Sequence, residues 1–129
     1  MMFALYAAGT GGGLWAAVQI ERFLRATPAI NSVESLERFK TLARQNMYLA
    51  IMCIPVLGTG FIIGLVLIWK HGLPALSATL ALNALLLSVS RRVSRKESAA
   101  QNLPATTDDL AHEYDRVSNS WVQRILPDF

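Results

Sequence analysis

Residues 47–69 read MYLAIMCIPVLGTGFIIGLVLIW, twenty-three positions without one charged side chain. As a helix rising ~1.5 Å per residue, this run is long enough to cross a hydrocarbon layer of ~30 Å. Tyr48 stands near its start and Trp69 at its end, where aromatic rings settle at the two membrane–water interfaces. Two further stretches share the property, Met1 to Ile20 and Gly72 to Ser90. Backbone in lipid must satisfy its own polar groups, so all three runs predict helices.

The totals agree with that reading. The chain has 129 residues, 53% hydrophobic and only 16% charged, where a soluble domain carries about 25%. Mean hydropathy is +0.35. The length suits one membrane unit without a separate soluble domain of ordinary size. Cys53 is the single cysteine and lies in the middle run, which excludes an intrachain disulfide and a thiol-rich metal site.

Net charge is +3 and the sequence pI about 9.4. The cations flank the apolar runs, which points to membrane orientation and away from a nucleic-acid partner. Three crossings put every Lys and Arg except Lys70 on one side. That side is the cytoplasmic one, giving N-terminus out and C-terminus in. No Lys or Arg precedes the first run, whereas Arg22 and Arg25 follow it, the order of an uncleaved anchor rather than a secretory signal. The expected location is a bacterial plasma membrane, or a thylakoid or other organellar inner membrane.

The expected architecture is therefore an all-α integral membrane protein. Residues 1–96 form a three-helix transmembrane unit with spans at about 2–20, 47–69 and 73–90 and a cytoplasmic amphipathic helix at about 32–46. Residues 97–107 form a linker, and 108–126 an amphipathic C-terminal helix.

Several residues carry expectations of their own. In the first span Ala4, Ala8, Gly12 and Ala16 form a ladder of small side chains, and Gly60 and Gly64 form a GxxxG face in the second. Such faces let helices approach closely and gain dispersion contacts. Asn83, near mid-membrane in the third span, needs a hydrogen-bond partner and is read as helix glue. Pro28 ends the first helix near Ala26, Asn31 with Glu34 resembles a weak capping pair, and Glu34 with Arg38 forms an i,i+4 ion pair. Pro55 is read as a tolerated kink. Lys70-His71-Gly72 permits only a tight hairpin. Arg91, Arg92, Arg95 and Lys96 form a stop-transfer cluster that touches anionic lipid headgroups.

In the tail, Leu110, Tyr114, Val117, Trp121 and Ile125 recur on one helical face, with Asp108 and Asp109 in the first turn and Pro127 closing the helix. Its net negative charge favours docking on protein, either on this chain's own basic 31–46 helix or on a partner subunit.

Chemistry is sparse. The apolar runs hold no carboxylate for a proton or ion rotor. His71 and His112 fall on opposite sides, which argues against a shared metal or haem site. Gly9-Thr10-Gly11-Gly12-Gly13 lacks the strand, Lys and Ser/Thr of a phosphate loop. No positioned base accompanies a Ser or Cys nucleophile. No catalytic residue, metal or cofactor is assigned. The expectation is a non-catalytic accessory subunit or assembly factor whose partners are membrane lipids and other membrane subunits, a hetero-complex being favoured over a homo-oligomer. The alternative is a small homo-oligomeric channel or transporter lined by Thr10, Ser77, Thr79 and Asn83. A lipid or quinone enzyme using Glu21 is a third reading.

Overall fold

The computed structural model describes residues 1–124 and 126. Ile125 and Pro127 lie outside the described residues. Among the described residues four helices follow one another: α1 (Met2–Ala26), α2 (Val33–His71), α3 (Leu73–Gln101) and α4 (Asp108–Gln123). Two of them, α2 and α3, are long and apolar enough to cross a membrane.

Side-chain register fixes how the first three pack. Tyr6 of α1 lies beside Gly60 of α2, Gly9 beside Leu57, and Gly12 beside Cys53. Phe23 meets Phe39 with ring centroids 6.0 Å apart. These pairs run in opposite directions along the two chains, so α1 and α2 are antiparallel. On the other flank Met2 meets Thr79, Tyr6 meets Asn83, Gly13 meets Val89, and Glu21 meets Lys96. Both members advance together, so α1 and α3 are parallel. α1 packs along both α2 and α3, which lean on each other less closely. α1 is thus the central helix of the three.

Glycine makes the approach possible. A Cβ on Gly9 would stand 2.5 Å from Leu57 Cδ2, and one on Gly13 would stand 2.7 Å from Val89 Cγ1. Gly72 alone separates α2 from α3, and its φ of 65° explains why glycine occupies the turn. Its N–H donates to the Ile68 carbonyl at 2.8 Å, closing α2.

The principal buried core lies at the other end of the bundle. Ile20 and Phe23 come from α1, and Leu36, Phe39, Leu42, Ala43 and Met47 from α2. Ala100 comes from α3, and Tyr114, Val117 and Trp121 from α4. Phe39 is fully buried, 4.7 Å from the Tyr114 ring centroid and 5.7 Å from that of Trp121. The two connecting loops are tied together beneath it. Ile30 N–H donates to the Pro104 carbonyl at 2.8 Å, and Thr106 N–H donates to the Ile30 carbonyl at 3.1 Å. The Tyr114 hydroxyl closes α3: it donates to the Ala100 carbonyl and accepts from Leu103 N–H at 3.0 Å.

Two local expectations change, the cap of α2 and the length of the linker. The surface helix at 32–46 runs on into the span at 47–69 as one uninterrupted helix, which also passes through Pro55. Its cap is Ser32 with Ser35, not Asn31 with Glu34. Ser35 N–H donates to Ser32 Oγ at 3.2 Å, and Ser32 N–H donates to Ser35 Oγ at 3.1 Å. The linker is shorter than 97–107, because α3 carries the backbone to Gln101. The run 97–101 contains Ala99, Ala100 and Gln101, all helix-compatible, and Ala100 is fully buried. The apolar face of the tail is covered by this chain's own α2, one of the two surfaces expected for it. The remaining local features are Glu34 and Arg38 paired at 2.6 Å, and α1 ending at Ala26 ahead of Pro28.

The Tyr114 hydroxyl gives the fold a direct test. Tyr114→Phe leaves the ring in place but strips the Ala100 carbonyl and Leu103 N–H of a buried partner. It is expected to cost about 1–3 kcal/mol and to lower the midpoint of thermal unfolding measured in detergent.

Candidate functional site

Three regions bear on function: the outer face of α1, the polar base, and a cleft among the first three helices.

The small-residue ladder does not form one face. A repeat of four drifts by about 40° per step in a helix of ~3.6 residues per turn. Ala4 and Ala8 accordingly face outward, Gly12 is half-buried beside Cys53 and Leu49, and Ala16 is buried. The uncovered strip on the outside of α1 consists of Ala4, Ala7, Ala8 and Gly11, continued by Leu14, Trp15 and Val18. Gly60 and Gly64 are spent within the chain, against Tyr6 and against Met2 and Thr79. Asn83 is likewise satisfied inside. It accepts from the Tyr6 hydroxyl at 3.4 Å and donates to the Thr79 carbonyl at 2.8 Å.

The tail face is filled in the same way. Tyr114, Val117 and Trp121 are buried in the core against α2, and Leu110 is half-buried beside them. Of the two docking surfaces expected for this face, the chain's own basic helix and a partner subunit, the structure shows the first: α2 covers Tyr114, Val117 and Trp121. Ile125 belongs to the same sequence pattern and lies outside the described residues.

The basic cluster divides. Arg91, Arg92 and Arg95 are exposed on α3. Lys96 turns inward and meets Glu21 of α1 at 2.6 Å, and that contact, followed by the one with Arg25, holds the Glu21 carboxyl below its ordinary range. Lys96 therefore joins two helices, and of the four cations only the three arginines stay exposed. On the opposite flank Lys40 of α2 reaches Glu113 of α4 at 3.0 Å, while Arg116 holds the same carboxylate at 2.6 Å. Arg116 and Lys40 together press the Glu113 pKa down to about 2.

The cleft has a volume of about 260 Å³. Each helix contributes residues at helical spacing: Gly9, Gly13 and Ala16 from α1; Asn46, Leu49, Ala50, Cys53 and Leu57 from α2; Leu86, Val89, Ser90, Val93, Ser94 and Glu97 from α3. By the helix register, Asn46, Ser94 and Glu97 occupy the end nearer the charged base. Leu57 and Leu86 occupy the apolar end. Asn46 is only 5% exposed, and its Nδ2 donates to the Leu42 carbonyl at 2.9 Å. Its Oδ1 is buried without a partner among the described residues. Burial raises the Glu97 carboxyl above its ordinary range, no other cause opposing it.

Asn46 and Glu97 carried no expectation from sequence. Both had a readable signal: each is a polar residue closing a helical face that is otherwise small or apolar. No group of three or more His, Cys, Asp or Glu side chains arranged for a metal occurs among the described residues. No protein-family model, curated protein or solved structure matches the chain.

The charge pairing at the base has a pH signature. Glu113 has a folded pKa below its reference value of 4.5, so its pairing stabilises the α2–α4 contact above that value. The contribution falls away as pH drops from about 4.5 towards about 2. Protection of the α4 amides relative to their intrinsic exchange rate at each pH is expected to fall across that window, and Glu113→Gln is expected to flatten the response.

Proposed function

We propose that this chain is an integral membrane protein crossing the bilayer with α1, the upper part of α2 and the upper part of α3. The N-terminus lies outside and the polar base inside. Its role is that of a non-catalytic accessory or assembly subunit, packing laterally against the helices of other membrane subunits.

Insertion is supported by the exposed belt. Phe61, Ile62, Leu65 and Val66 of α2, Leu80, Leu85 and Leu87 of α3, and Phe3, Leu14 and Val18 of α1 all face outward, and Trp69 is 92% exposed. A patch so extensive has no place in water on a monomer. α1, with Gly9, Gly11, Gly12 and Gly13 in its middle, is not among the helices apolar enough to cross by composition alone. Its support as a span is its position: it packs alongside both other helices over the same length and carries no charge before Glu21.

The observation that carries the subunit reading is the outer strip of α1. Ala4, Ala7, Ala8 and Gly11 lie on the side of α1 turned away from α2 and α3. Small side chains facing lipid forgo dispersion contact, whereas facing another helix they permit a close approach. The channel reading has less behind it, since Thr79 and Asn83 are occupied between α1 and α3.

Two measurements test this. In a Cys53→Ala background, single cysteines at positions 40 and 95 are expected to react with an impermeant thiol reagent from one side and a cysteine at 71 from the other. Labelling of 40 and 95 from opposite sides defeats the topology. For the role, Ala8→Leu and Gly11→Leu on the outer strip are expected to abolish co-migration with larger species on native gels after mild extraction, at unchanged thermal midpoint. Migration of the unmodified chain solely as a monomer defeats the role.

A further inference from the structure

We propose that the cleft among α1, α2 and α3 binds a lipid-like amphiphile whose head donates a hydrogen bond, from a hydroxyl or an ammonium group, to Asn46 Oδ1. The inference is independent of the accessory role, since it uses the inward side of the bundle and not the outer strip of α1.

Three features of the cleft define the ligand. Its apolar end, with Leu49, Cys53, Leu57, Leu86 and Val89, suits a hydrocarbon tail. Its other end gathers Asn46, Ser90, Ser94 and Glu97, the polar groups that orient a ligand in an otherwise apolar pocket. The unpartnered atom is an acceptor, because the Asn46 amide nitrogen is already engaged with the Leu42 carbonyl. A buried amide oxygen without a partner is costly, so the complementary group is a donor. Glu97 adds a second acceptor when ionised, and Ser94 supplies a hydroxyl able to donate or accept. The polarity gradient also matches the chain's own placement. Asn46 and Glu97 stand at the level where charged side chains begin, and Leu57 and Leu86 lie among uncharged residues on both helices. An amphiphile entering from the surrounding lipid would lie with its head at the interface and its tail alongside α2 and α3.

Cys53 lines the cleft and is the chain's single cysteine, so it reports occupancy without engineering. The full chain is purified in an alkyl dimethylamine-oxide detergent, whose head has no donor at neutral pH, and the rate of Cys53 alkylation by N-ethylmaleimide is followed. Monoolein supplies hydroxyl donors, oleylamine an ammonium, and methyl oleate a comparable tail with no donor. Protection by either donor-headed compound, exceeding that by methyl oleate by about fivefold in rate, is expected for one added hydrogen bond. The compound that protects identifies the head. Asn46→Leu is expected to erase the difference among the three. Ala50→Trp, at an exposed position on the cleft wall, is expected to block all of them and keeps the test valid if Asn46→Leu fails to fold. Protection by methyl oleate equal to that by both donor-headed compounds, absence of protection by any compound, or discrimination that survives Asn46→Leu would overturn the proposal.

Discussion

Phe39 is the contact on which the arrangement of the helices depends. It is fully buried on α2, and the rings of Phe23, Tyr114 and Trp121 converge on it from α1 and α4. Tilted aromatic pairs at these separations contribute roughly 0.5–1.5 kcal/mol each beyond area burial. More important is connectivity. Tyr114 carries its hydroxyl to the end of α3, so the ring that packs on Phe39 also terminates the helix that packs on α1. The four helices are therefore locked at one end by a single cluster. Towards Gly72 they are held by small-residue approach and by few polar contacts.

The two ends of the bundle differ in the forces available. In the upper part glycine lets backbones close to contact: Gly9 faces Leu57, Gly13 faces Val89, and Gly64 faces Thr79. At the base, water is displaced from aromatic and aliphatic surface, which is a driving force that lipid does not supply. Ion pairs add position more than energy there. Glu21–Lys96 and Lys40–Glu113 each connect two helices, and both carboxylates keep substantial exposure.

The helices themselves were legible in the sequence because uncharged runs and glycine or proline breaks mark them directly. The hairpin at Gly72 and the stop near Pro28 follow from backbone geometry alone. The destination of each face was harder to read. Spacing shows that Tyr114, Val117 and Trp121 share a face, but α2 and a partner subunit offer that face the same chemistry. The four-residue ladder on α1 misled for a different reason: four does not match the helical period, so the pattern winds from the outside at Ala4 to the inside at Ala16. The cap at Ser32–Ser35 was missed because a serine replaces the acid of the usual box. Asn46 went unremarked because its amide is unusual only once the surrounding face is known to be buried.

The length of α2 explains why the chain needs its tail. Thirty-nine residues at ~1.5 Å each give about 58 Å, close to twice the ~30 Å of a hydrocarbon layer. A layer of that thickness would hold only about half of α2, and the half towards its N-terminus bears Leu36, Phe39, Leu42 and Ala43 on one side. Neither α1, which ends at Ala26, nor α3 alone covers that side in water. α4 does so with Tyr114, Val117 and Trp121, and the bridge between Ile30 and Ala105 brings its connecting loop to the right place. The tail helix is thus the complement of an over-long α2, and its apolar face completes the fold. The surfaces that the chain does not cover itself are the outside of α1 and the cleft among α1, α2 and α3.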